Sequence, residues 1–390
     1  MNIAFAKWDS ICDAEIKKAM QKKGYNVVDF SCQLNNPDAD SNYILQLNEF
    51  LKKENFDIVF SVNYIPTISR VCNILKLPYV SWVYDEPCLF LLSDTVYYPC
   101  NYIFMFDKMQ AMEMSQKIPG HAFYLPMCCD VSDCDSITID ANDIERFSCD
   151  VSFVGSLYSE RNNIRYDAVK DKLTPYSGGF LEAVMAAQQN VHGYNLISDS
   201  VPDEIIDQIF SLSGYSFFNG YDEDKRKIIC DYFLGYKCSE YDRINVMKTM
   251  FSRFDTKLYT NTDISGIKEL ANSGYVDYKR EFPKVCKQSK INLNMTIRTI
   301  KSGLPLRIFS ILGSKGFLIT NFQPEIMELF SPGEDIVYYE SMQDLIDKVE
   351  FYLNHEDERL RIIENGYNRV KNYHTFDNRI DEMFDDLANV

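Results

Sequence analysis

The sequence predicts two α/β domains, each built on a parallel sheet covered by helices, with a helical insertion in the second domain. The 390 residues are too many for one compact core. Short, continuous apolar runs alternate with helical stretches in both halves of the chain, and such runs are typical of strands buried on both faces. A polar, acidic stretch at residues 130–150 separates the halves.

Six apolar runs predict an N-terminal Rossmann-like domain, residues 1–130. The predicted strands are Ile3–Ala6, Asn26–Phe30, Asp57–Val62, Tyr79–Tyr84, Tyr102–Phe106 and Ala122–Leu125. This domain has no G-x-G-x-x-G sequence, so it lacks the fingerprint of a dinucleotide-binding dehydrogenase.

The polar stretch indicates an exposed linker, residues 131–149, before a second Rossmann-like domain, residues 150–375. Its predicted strands are Val151–Val154, Lys257–Thr260, Tyr275–Tyr278, Ile291–Met295, Phe317–Thr320 and Ile336–Tyr339. Residues 160–253 have a helical pattern and predict the insertion. Successive helices follow from about Met342, and the last, residues 376–390, forms a separate C-terminal segment.

Composition narrows the classes of function. The net charge of −17 makes a nucleic-acid partner unfavourable, because phosphates would be repelled. The sequence starts without a signal-peptide pattern and contains no apolar run of about 20 residues. The 12 cysteines show no C-x-x-C spacing, which favours small buried side chains over metal ligands. We expect a soluble cytoplasmic protein with no transmembrane segment, cofactor or metal.

A basic island follows the middle of the second domain. It holds one acid, Glu281, and nine bases: Lys279, Arg280, Lys284, Lys287, Lys290, Arg298, Lys301, Arg307 and Lys315. The acidic stretch that follows, residues 321–358, reverses this bias. The island is interpreted as an anion pocket, and a solvated helix face is the alternative.

A turn before a predicted helix forms the centre of this pocket. Its sequence is Lys301-Ser302-Gly303-Leu304-Pro305-Leu306-Arg307. Ser302 and Gly303 suit the approach to a helix, and Pro305 suits its first turn. Free backbone N–H groups at such an end favour phosphate, and Arg307 can add a bidentate contact.

Two further groups of residues are predicted to line the same pocket. Gly155-Ser156 follows a strand, and a glycine there lets the backbone approach a ligand. Polar residues also occupy every second position along a predicted strand and the segment directly after it: Asn292, Asn294, Thr296 and Arg298. Period two places alternate residues on one face, where they could bind diphosphate and sugar. The alternative is a polar loop capped by its own side chains.

Carboxylates suggest two other sites. Asp85 follows an apolar strand, where ligands meet open α/β sheets, and could deprotonate an acceptor hydroxyl. Alternatively, it caps the next segment. The triplets Asp38–Asp40 and Asp133–Asp135 could hold a divalent ion, but they lie in polar stretches away from the basic island and are interpreted as solvated turns.

Motifs along most of the chain resemble the CgeB/YkvP type of spore-coat-maturation proteins, which are GT-B glycosyltransferase-like. In the first half these motifs are WVYDEP (82–87), FMFD (104–107) and YLP (124–126). In the second half they are DVSFVGSLYSER (150–161), GYVDY (274–278), SKINLNMTIRTIKSGLPLRIF (289–309), GFLITNFQPE (316–325), SPGEDIVYY (331–339) and NGYNRVKNYHTFDNR (365–379).

The resemblance implies two facing Rossmann-like domains, with the donor site in the second and a final helix that can cross back to the first. The nucleobase would meet Tyr275, Val276 and Tyr278, although an ordinary aromatic strand end is the alternative. Related enzymes hold the ribose with an acid early in the helix after the phosphate turn. Here that position is Ser310, so Glu325 or Glu328 would have to supply the contact, or donor affinity has been lost.

Three functions remain open. The leading one is metal-independent transfer of a hexosyl group from a nucleoside diphosphate sugar, with UDP favoured, to an unknown acceptor such as a glycan, protein or small molecule. Asp85 and Arg307 are its predicted catalytic residues. The alternatives are a GT-B sugar-nucleotide epimerase and a non-catalytic sugar-binding or coat-assembly protein.

Overall fold

The chain divides into two compact units. A computed structural model describes residues 1–8, 10–159 and 166–389. The first unit comprises Met1–Met127, Ser216–Glu223 and Phe376–Val390, and the second comprises Cys128–Tyr215 and Asp224–Thr375. The main boundary therefore falls at Met127, three residues before the predicted end of the first domain.

The first unit is built on a six-stranded parallel sheet with strand order β2-β1-β3-β4-β5-β6. Its strands are β1 (Asn2–Ala6), β2 (Asn26–Phe30), β3 (Ile58–Val62), β4 (Tyr79–Val83), β5 (Asn101–Met105) and β6 (Ala122–Tyr124). Every residue of β3 and β4 is buried, which is why their sequences are continuous rather than alternating.

The second unit contains a five-stranded parallel sheet with strand order β11-β10-β9-β7-β8. Its strands are β7 (Cys149–Val154), β8 (Thr256–Tyr259), β9 (Ser289–Asn294), β10 (Leu318–Asn321) and β11 (Val337–Tyr339). The core on one face of this sheet includes Ile291, Leu293 and Met295. Asn292 and Asn294 therefore alternate onto the other face, as period two predicts.

Helices cover the two sheets. They are α1 (Asp13–Lys22), α2 (Ser41–Lys53), α3 (Pro66–Leu75), α4 (Lys108–Lys117), α5 (Val131–Ser136), α6 (Ala141–Phe147), α7 (Pro175–Gln188), α8 (Leu196–Ser200), α9 (Asp203–Ser213), α10 (Lys225–Lys227), α11 (Tyr236–Arg253), α12 (Phe282–Gln288), α13 (Leu306–Gly313), α14 (Ile326–Leu329), α15 (Met342–Asn354), α16 (Glu356–Tyr373) and α17 (Phe376–Ala388). Short 3₁₀ segments occur at Leu89–Leu92, Asp94–Tyr97, Tyr166–Ala168 and Lys170–Lys172, and Ile228–Gly235 is a π-helix.

The predicted insertion is helical over its described part, from residue 166 to α11. Residues 160–165, which include the end of the DVSFVGSLYSER motif, lie outside the described residues. A segment between α9 and α10, Ser216–Glu223, belongs to the first unit. So does α17, the C-terminal helix, whose Arg379 donates to the carbonyl of Pro126 (2.8 Å).

The predicted linker, residues 131–149, is folded and belongs to the second unit. It contains α5 and α6, and β7 begins at its last residue. Asp130 accepts hydrogen bonds from backbone N–H groups at the start of α5, and Asp140 forms a capping box with Asp143 at the start of α6. Acidic residues in and next to this segment therefore supply helix caps. The segment is largely exposed, as predicted, but it is helical and part of the second unit where a linker was expected.

The prediction of a strand at Tyr275–Tyr278 is also wrong, because these residues form a loop and a turn. Only Val276 packs in the core there, whereas Tyr275 is 60% exposed. The Asp277 carboxylate accepts from the backbone N–H groups of Lys279 and Arg280. This local capping stabilises a turn in place of a sheet ladder.

Candidate functional site

Arg307 lies in the first turn of α13, at the position expected from the sequence. Pro305 has extended backbone and immediately precedes the helix, so it serves as the N-cap residue and not as part of the first turn. Arg307 as a whole residue is half-buried. Its Nη1 donates to Oδ1 of Asn294, the last residue of β9, at 3.2 Å. The strand end thus orients the arginine of the helix.

Gly155, directly after β7, makes room for this guanidinium. Its φ is +151°, and a Cβ atom at this position would lie 2.6 Å from Nη2 of Arg307. Such a separation is far below van der Waals contact, so any larger residue would displace the arginine. The sequence predicted that Gly155 lets the backbone approach a ligand. In the structure, the missing side chain admits the group that would bind that ligand.

A second arginine, Arg243 of α11, lies beside the first. Its Nη1 donates to the carbonyl of Ser156, and its Nη2 donates to the carbonyl of Met295, both at 2.6 Å. Both guanidinium groups lie over the ring of Phe153. The distance from Cζ to the ring centroid is 5.3 Å for Arg307 and 5.4 Å for Arg243. Sequence reasoning missed Arg243 because one arginine in a helix, 87 residues from Ser156 in the chain, gives no local signal.

The two arginines create a site with excess positive charge. Burial and the neighbouring Arg243 lower the pKa of Arg307 to about 10. Among the described residues, no carboxylate forms an ion pair with Arg307. Since an opposite charge nearby would favour the charged form, the depressed pKa reflects a cation that lacks a counter-ion. An oxyanion bound here would supply it.

The polar residues of β9 and its exit have different roles. Asn294 donates to the hydroxyls of Thr296 (3.0 Å) and Thr320 (2.9 Å), so its carbonyl oxygen points to Arg307. Asn292 instead accepts from Ser152 and donates to two backbone carbonyls inside the unit. Asn294 and Thr296 therefore support the arginine site, whereas the amide of Asn292 serves the interior of the fold.

Arg298 is bound on all sides by protein groups. Its Nε donates to the carboxylate of Asp242, and Nη1 donates to the carbonyl of Val191 at 2.7 Å. The side chain is only 8% exposed. Its charge is therefore already balanced, in contrast to that of Arg307.

The basic island does not form a single anion pocket. Lys284 pairs with Asp143 (2.7 Å). Lys290 pairs with Asp150 (2.8 Å), and Lys287 donates to two backbone carbonyls. The acids come from residues 130–150, so that stretch and the island neutralise each other in part.

The turn before α13 is tied to the start of α14. The hydroxyl of Ser302 donates to Oε1 of Glu325 (2.8 Å), and the backbone N–H of Glu325 donates to the carbonyl of Ser302 (3.2 Å). Glu325 is 1% exposed, and Gly303 and Leu304 are also buried. The predicted ribose acid thus lies next to the predicted phosphate turn, where it holds that turn in place.

Two residues predicted to contact the nucleoside meet each other. The hydroxyls of Tyr278 and Ser310 lie 2.5 Å apart, and the Tyr278 ring stacks on Phe282 with centroids 5.0 Å apart. Ser310 is on α13, three residues after Arg307. Of the loop residues, Tyr278 therefore reaches the helix of the arginine site, while the Val276 side chain packs in the core and that of Tyr275 is exposed.

Asp85 lies at the carboxyl edge of the sheet in the first unit. Its Oδ2 accepts a hydrogen bond from Nδ2 of Asn63 at 2.7 Å, and Oδ1 of Asn63 accepts from the backbone N–H groups of Tyr84 and Asp85. Burial raises the pKa of Asp85, and the bond from Asn63 opposes that rise. Asp85 is nevertheless exposed at the surface of the unit, and a carboxylate with a raised pKa is suited to accept a proton.

The two D-x-D triplets serve the fold. Asp40 is buried and caps α2, with its carboxylate accepting from the backbone of Tyr43 and Asn35. Asp135 accepts from the hydroxyl of Tyr367 at 2.6 Å. The first triplet is therefore not the solvated turn expected from the sequence, whereas Asp133 and Asp135 are exposed as predicted but lie in α5. Within residues 1–8, 10–159 and 166–389, no group of three His, Cys, Asp or Glu side chains could hold a metal ion.

No helix in the described ranges combines the length and apolar character needed to cross a membrane.

Known proteins are similar to this chain in sequence over one region and in fold throughout. The model of a family described as glycosyl transferase-like matches residues 248–385. That range includes β9, α13 and Arg307. No curated protein matches the chain significantly.

Several solved structures share the fold. HepE of Anabaena, determined with UDP and glucose, superposes with a TM-score of 0.54 at 9% identity, covering 100% of both chains. A glycosyltransferase of Rickettsia africae gives 0.51 at 12% identity, covering 100% of this chain and 99% of the other. Sucrose-phosphate synthase of Thermosynechococcus elongatus gives 0.51 at 10% identity with the same coverage. The fold is GT-B, and residues 248–385 are similar to the glycosyl transferase-like family.

Proposed function

We propose that this GT-B protein transfers a hexosyl group from a UDP-sugar to a hydroxyl of an acceptor. The observation that carries the proposal is the pair of arginines beside the Gly155-Ser156 turn, of which Arg307 has no carboxylate partner in the described chain. The glycosyl transferase-like match includes Arg307. The similar structure of HepE from Anabaena has been solved with UDP and with UDP-glucose.

The two guanidinium groups would stabilise the departing diphosphate. As the bond between the sugar and the diphosphate breaks, negative charge grows on the leaving oxygen. Fixed cations aimed at that charge lower the barrier, and Arg307 can meet two phosphate oxygens with its planar fork. We therefore propose a reaction that needs no metal ion. The absence of a metal and of a cofactor remains a prediction.

The other predicted donor contacts would be divided along the nucleotide. Tyr278 and Ser310, whose hydroxyls lie 2.5 Å apart, would contact the nucleoside. The turn held by Ser302 and Glu325 precedes the helix that carries Arg307 and would face the phosphates. Ser310 in place of an acid is expected to weaken the ribose contact. We assign the Tyr275 side chain no contact with the donor, because that side chain is exposed.

The acceptor would be bound by the first unit, with Asp85 as general base. The acceptor hydroxyl would pass its proton to the Asp85 carboxylate while its oxygen forms the new bond to the sugar. The raised pKa of Asp85, caused by partial desolvation, makes the carboxylate a stronger base than one with an ordinary pKa. Its bond with Asn63 holds it in one orientation.

The motifs quoted above further support membership of the CgeB/YkvP type. They occur in order along most of the chain, from WVYDEP (82–87) to NGYNRVKNYHTFDNR (365–379). A cytoplasmic location stays a prediction from the sequence.

Calorimetry with UDP, uridine and UDP-glucose in the presence of EDTA tests the proposal. We expect UDP to bind without a divalent ion and uridine to bind much more weakly, because the arginine pair contacts only the diphosphate. Strict dependence of UDP binding on magnesium would exclude the metal-free reaction. Failure of every nucleoside diphosphate to bind would instead favour the non-catalytic alternative.

A turnover assay separates transfer from epimerisation. A transferase consumes the donor at a rate set by an added acceptor, whereas an epimerase converts the donor without one. The two outcomes are distinguished by following the UDP-sugar by NMR with and without a panel of glycan and protein acceptors.

A further inference from the structure

A cavity of about 270 Å³ lies within the second unit, at the carboxyl ends of β9, β10 and β11. Helices α7 and α11 of the insertion form its opposite wall. Its volume is slightly below the roughly 300–1,000 Å³ of sites for drug-sized molecules. It therefore suits a molecule of about the size of one monosaccharide.

Three residues of the lining lie side by side. Asn321 and Tyr339 are the last residues of β10 and β11 and are partners in the parallel register. Their side chains therefore leave the sheet on the same face. The ring of His192 packs against that of Tyr339, with centroids 5.5 Å apart. All three residues line the cavity.

Each of the three carries a hydrogen-bond donor that the protein does not use. Oδ1 of Asn321 accepts from the backbone N–H of Thr296 (2.7 Å), which leaves the NH₂ group as a donor. A guanidinium can only donate, so Nδ1 of His192 accepts from Arg298 (3.2 Å) and the proton lies on Nε2. Within the described ranges, this NH₂ group, this N–H and the hydroxyl of Tyr339 have no protein partner.

These donors can be reached from the cavity although their residues are buried or half-buried. Asn321 and Tyr339 are each 4% exposed, yet all three donor atoms keep accessible surface. Because buried polar groups are normally paired, the cluster indicates that oxygen atoms of a ligand belong beside it.

The opposite wall adds acceptors and apolar surface. Nδ2 of Asn190 donates to the carbonyl of Ala186 (3.0 Å), and Nδ2 of Asn245 donates to Oε1 of Gln189 (2.8 Å). The side-chain oxygens of both asparagines remain as acceptors. The apolar part of the lining comprises Ala186, Val246, Met295 and Met342. This mixture matches a sugar, whose hydroxyls donate and accept and whose C–H groups pack on apolar side chains.

The lining offers no counter-ion to a charged ligand. Asp242 pairs with Arg298. The terminal nitrogens of Arg243 donate to backbone carbonyls, and its charge is assigned above to the diphosphate. His192 stays neutral because burial, followed by the charge of Arg298, lowers its pKa to about 3. A carboxylate or phosphate in this cavity would therefore be buried without a partner, which is costly.

We propose that this cavity binds an uncharged monosaccharide unit, whose oxygens accept hydrogen bonds from Asn321, His192 and Tyr339. The sugar has two possible sources: a free molecule, or the hexosyl group of the donor nucleotide. The free sugar extends beyond the proposed transfer reaction. The donor-bound sugar rests on that reaction and narrows the donor to a nucleotide of a neutral hexose.

Calorimetry on the full chain tests the chemistry with D-glucose against D-glucuronate, and with UDP-glucose against UDP-glucuronate. We expect at least a tenfold preference for the neutral member of one pair, because the carboxylate would lose its hydration without gaining a counter-ion. A preference in the free pair identifies a free sugar, and a preference in the nucleotide pair alone identifies the donor.

The remaining outcomes separate this proposal from the transfer reaction. No preference for the neutral sugar in either pair would overturn the cavity proposal and is the result expected of a cavity that holds only water. If UDP then binds, the transferase proposal stands without it. If UDP fails to bind while D-glucose binds, the transferase proposal fails and the cavity proposal stands.

Matched tyrosine variants test the donor cluster. Tyr338 and Tyr339 are adjacent in β11, so their side chains point to opposite faces, and only Tyr339 lines the cavity. Tyr339→Phe should lower affinity for the preferred sugar about two- to tenfold, the usual effect of one hydrogen bond, without lowering the melting temperature. Tyr338→Phe should leave it unchanged, and UDP should bind both variants normally. Equal losses in the two variants, or a loss for UDP as well, would contradict the assignment.

Matched alanine variants locate the binding by size. Ala186 and Ala187 are adjacent exposed residues of α7, but only Ala186 lines the cavity. Ala186→Leu adds a side chain to the lining and should reduce affinity for the preferred sugar at least tenfold, whereas Ala187→Leu should not change it. Equal losses, or no loss in either variant, would overturn the cavity as the binding site.

Discussion

Asp85 in the first unit and Arg307 in the second carry opposite charges but are held in the same way. Asp85 accepts from Nδ2 of Asn63 at 2.7 Å, and Arg307 donates to Oδ1 of Asn294 at 3.2 Å. An amide carries no net charge, so it orients each group without neutralising it. Burial then moves both pKa values towards the neutral form, upwards for Asp85 and down to about 10 for Arg307.

Arg298, which lies in the same unit as Arg307, shows the opposite arrangement. Its guanidinium pairs with Asp242 and donates to backbone carbonyls. Arg298 therefore has no capacity left to bind a ligand. Its position two residues after Thr296 had predicted that it would bind one. A charged side chain held by a neutral amide is free to meet a substrate, whereas one held by an opposite charge stabilises the fold.

The largest expected effect is on turnover, and it tests the first half of this contrast. Asp85→Asn keeps the shape of the side chain and removes its ability to take a proton. We expect kcat to fall about 10²- to 10⁴-fold, the usual contribution of a general base. The measurement is the rate of UDP release with a saturating acceptor.

UDP affinity of the same variant provides the control, because Arg307 lies in the other unit. We expect an unchanged dissociation constant. A variant that transfers sugar at the wild-type rate, or one that loses UDP affinity, would show that Asp85 does not have the role of an acceptor-side base.

Arg298→Met tests the structural half and should have the next largest effect. Removing one partner leaves Asp242 buried without its opposite charge, which typically costs about 3–5 kcal/mol of unfolding free energy. The double variant Arg298→Met/Asp242→Leu should recover part of that loss. Urea unfolding of all three proteins measures both quantities. A single variant as stable as the wild type would mean that the ion pair contributes nothing to the fold.

The strands were predictable because buried parallel strands have a simple signature. Continuous apolar runs at β3, β4 and β7 correspond to segments buried on both faces. The errors arose where one local sequence pattern is compatible with two different structures. Acids at residues 130–150 cap helices, and the aromatic run Tyr275–Tyr278 forms a turn stabilised by Asp277.

The candidate site was predictable only where it depends on local order. Pro305 before a helix places Arg307 in the first turn, and the structure has it there. Counting the charges of the basic island could not show which cations find partners, since Asp143 and Asp150 lie more than a hundred residues away from Lys284 and Lys290. Arg243 was missed for the same reason: its neighbours are brought to it by the fold.

Arg307→Ala should affect ligand binding without affecting stability, which sharpens the contrast with Arg298. A charge-assisted contact contributes about 1.5–3 kcal/mol, or roughly ten- to a hundredfold in affinity. We expect this loss for UDP and little change for uridine. Arg307→Lys should restore part of it, because lysine keeps the charge but lacks the planar fork. Equal losses for UDP and uridine in calorimetry would remove Arg307 from the phosphate site.

The smallest expected effect is a pH-dependent change in stability at Asp85. Burial raises the pKa of Asp85 in the folded protein, so between the ordinary carboxyl pKa and this raised value the folded state binds more protons than the unfolded state. Linkage then requires that the wild type lose stability as pH rises through this window.

Asp85→Asn cannot ionise at residue 85, so it should avoid that loss and be more stable than the wild type at pH 7. The difference should vanish below the ordinary carboxyl pKa, where Asp85 is protonated in both states. Urea unfolding at a series of pH values from 3 to 7 measures it, with Glu54→Gln, an exposed position of the same unit, as the control for lost charge. A wild type that gains stability over Asp85→Asn as pH rises would show that the fold favours the ionised carboxylate, and Asp85 would then resemble a structural anion more than a base waiting for a proton.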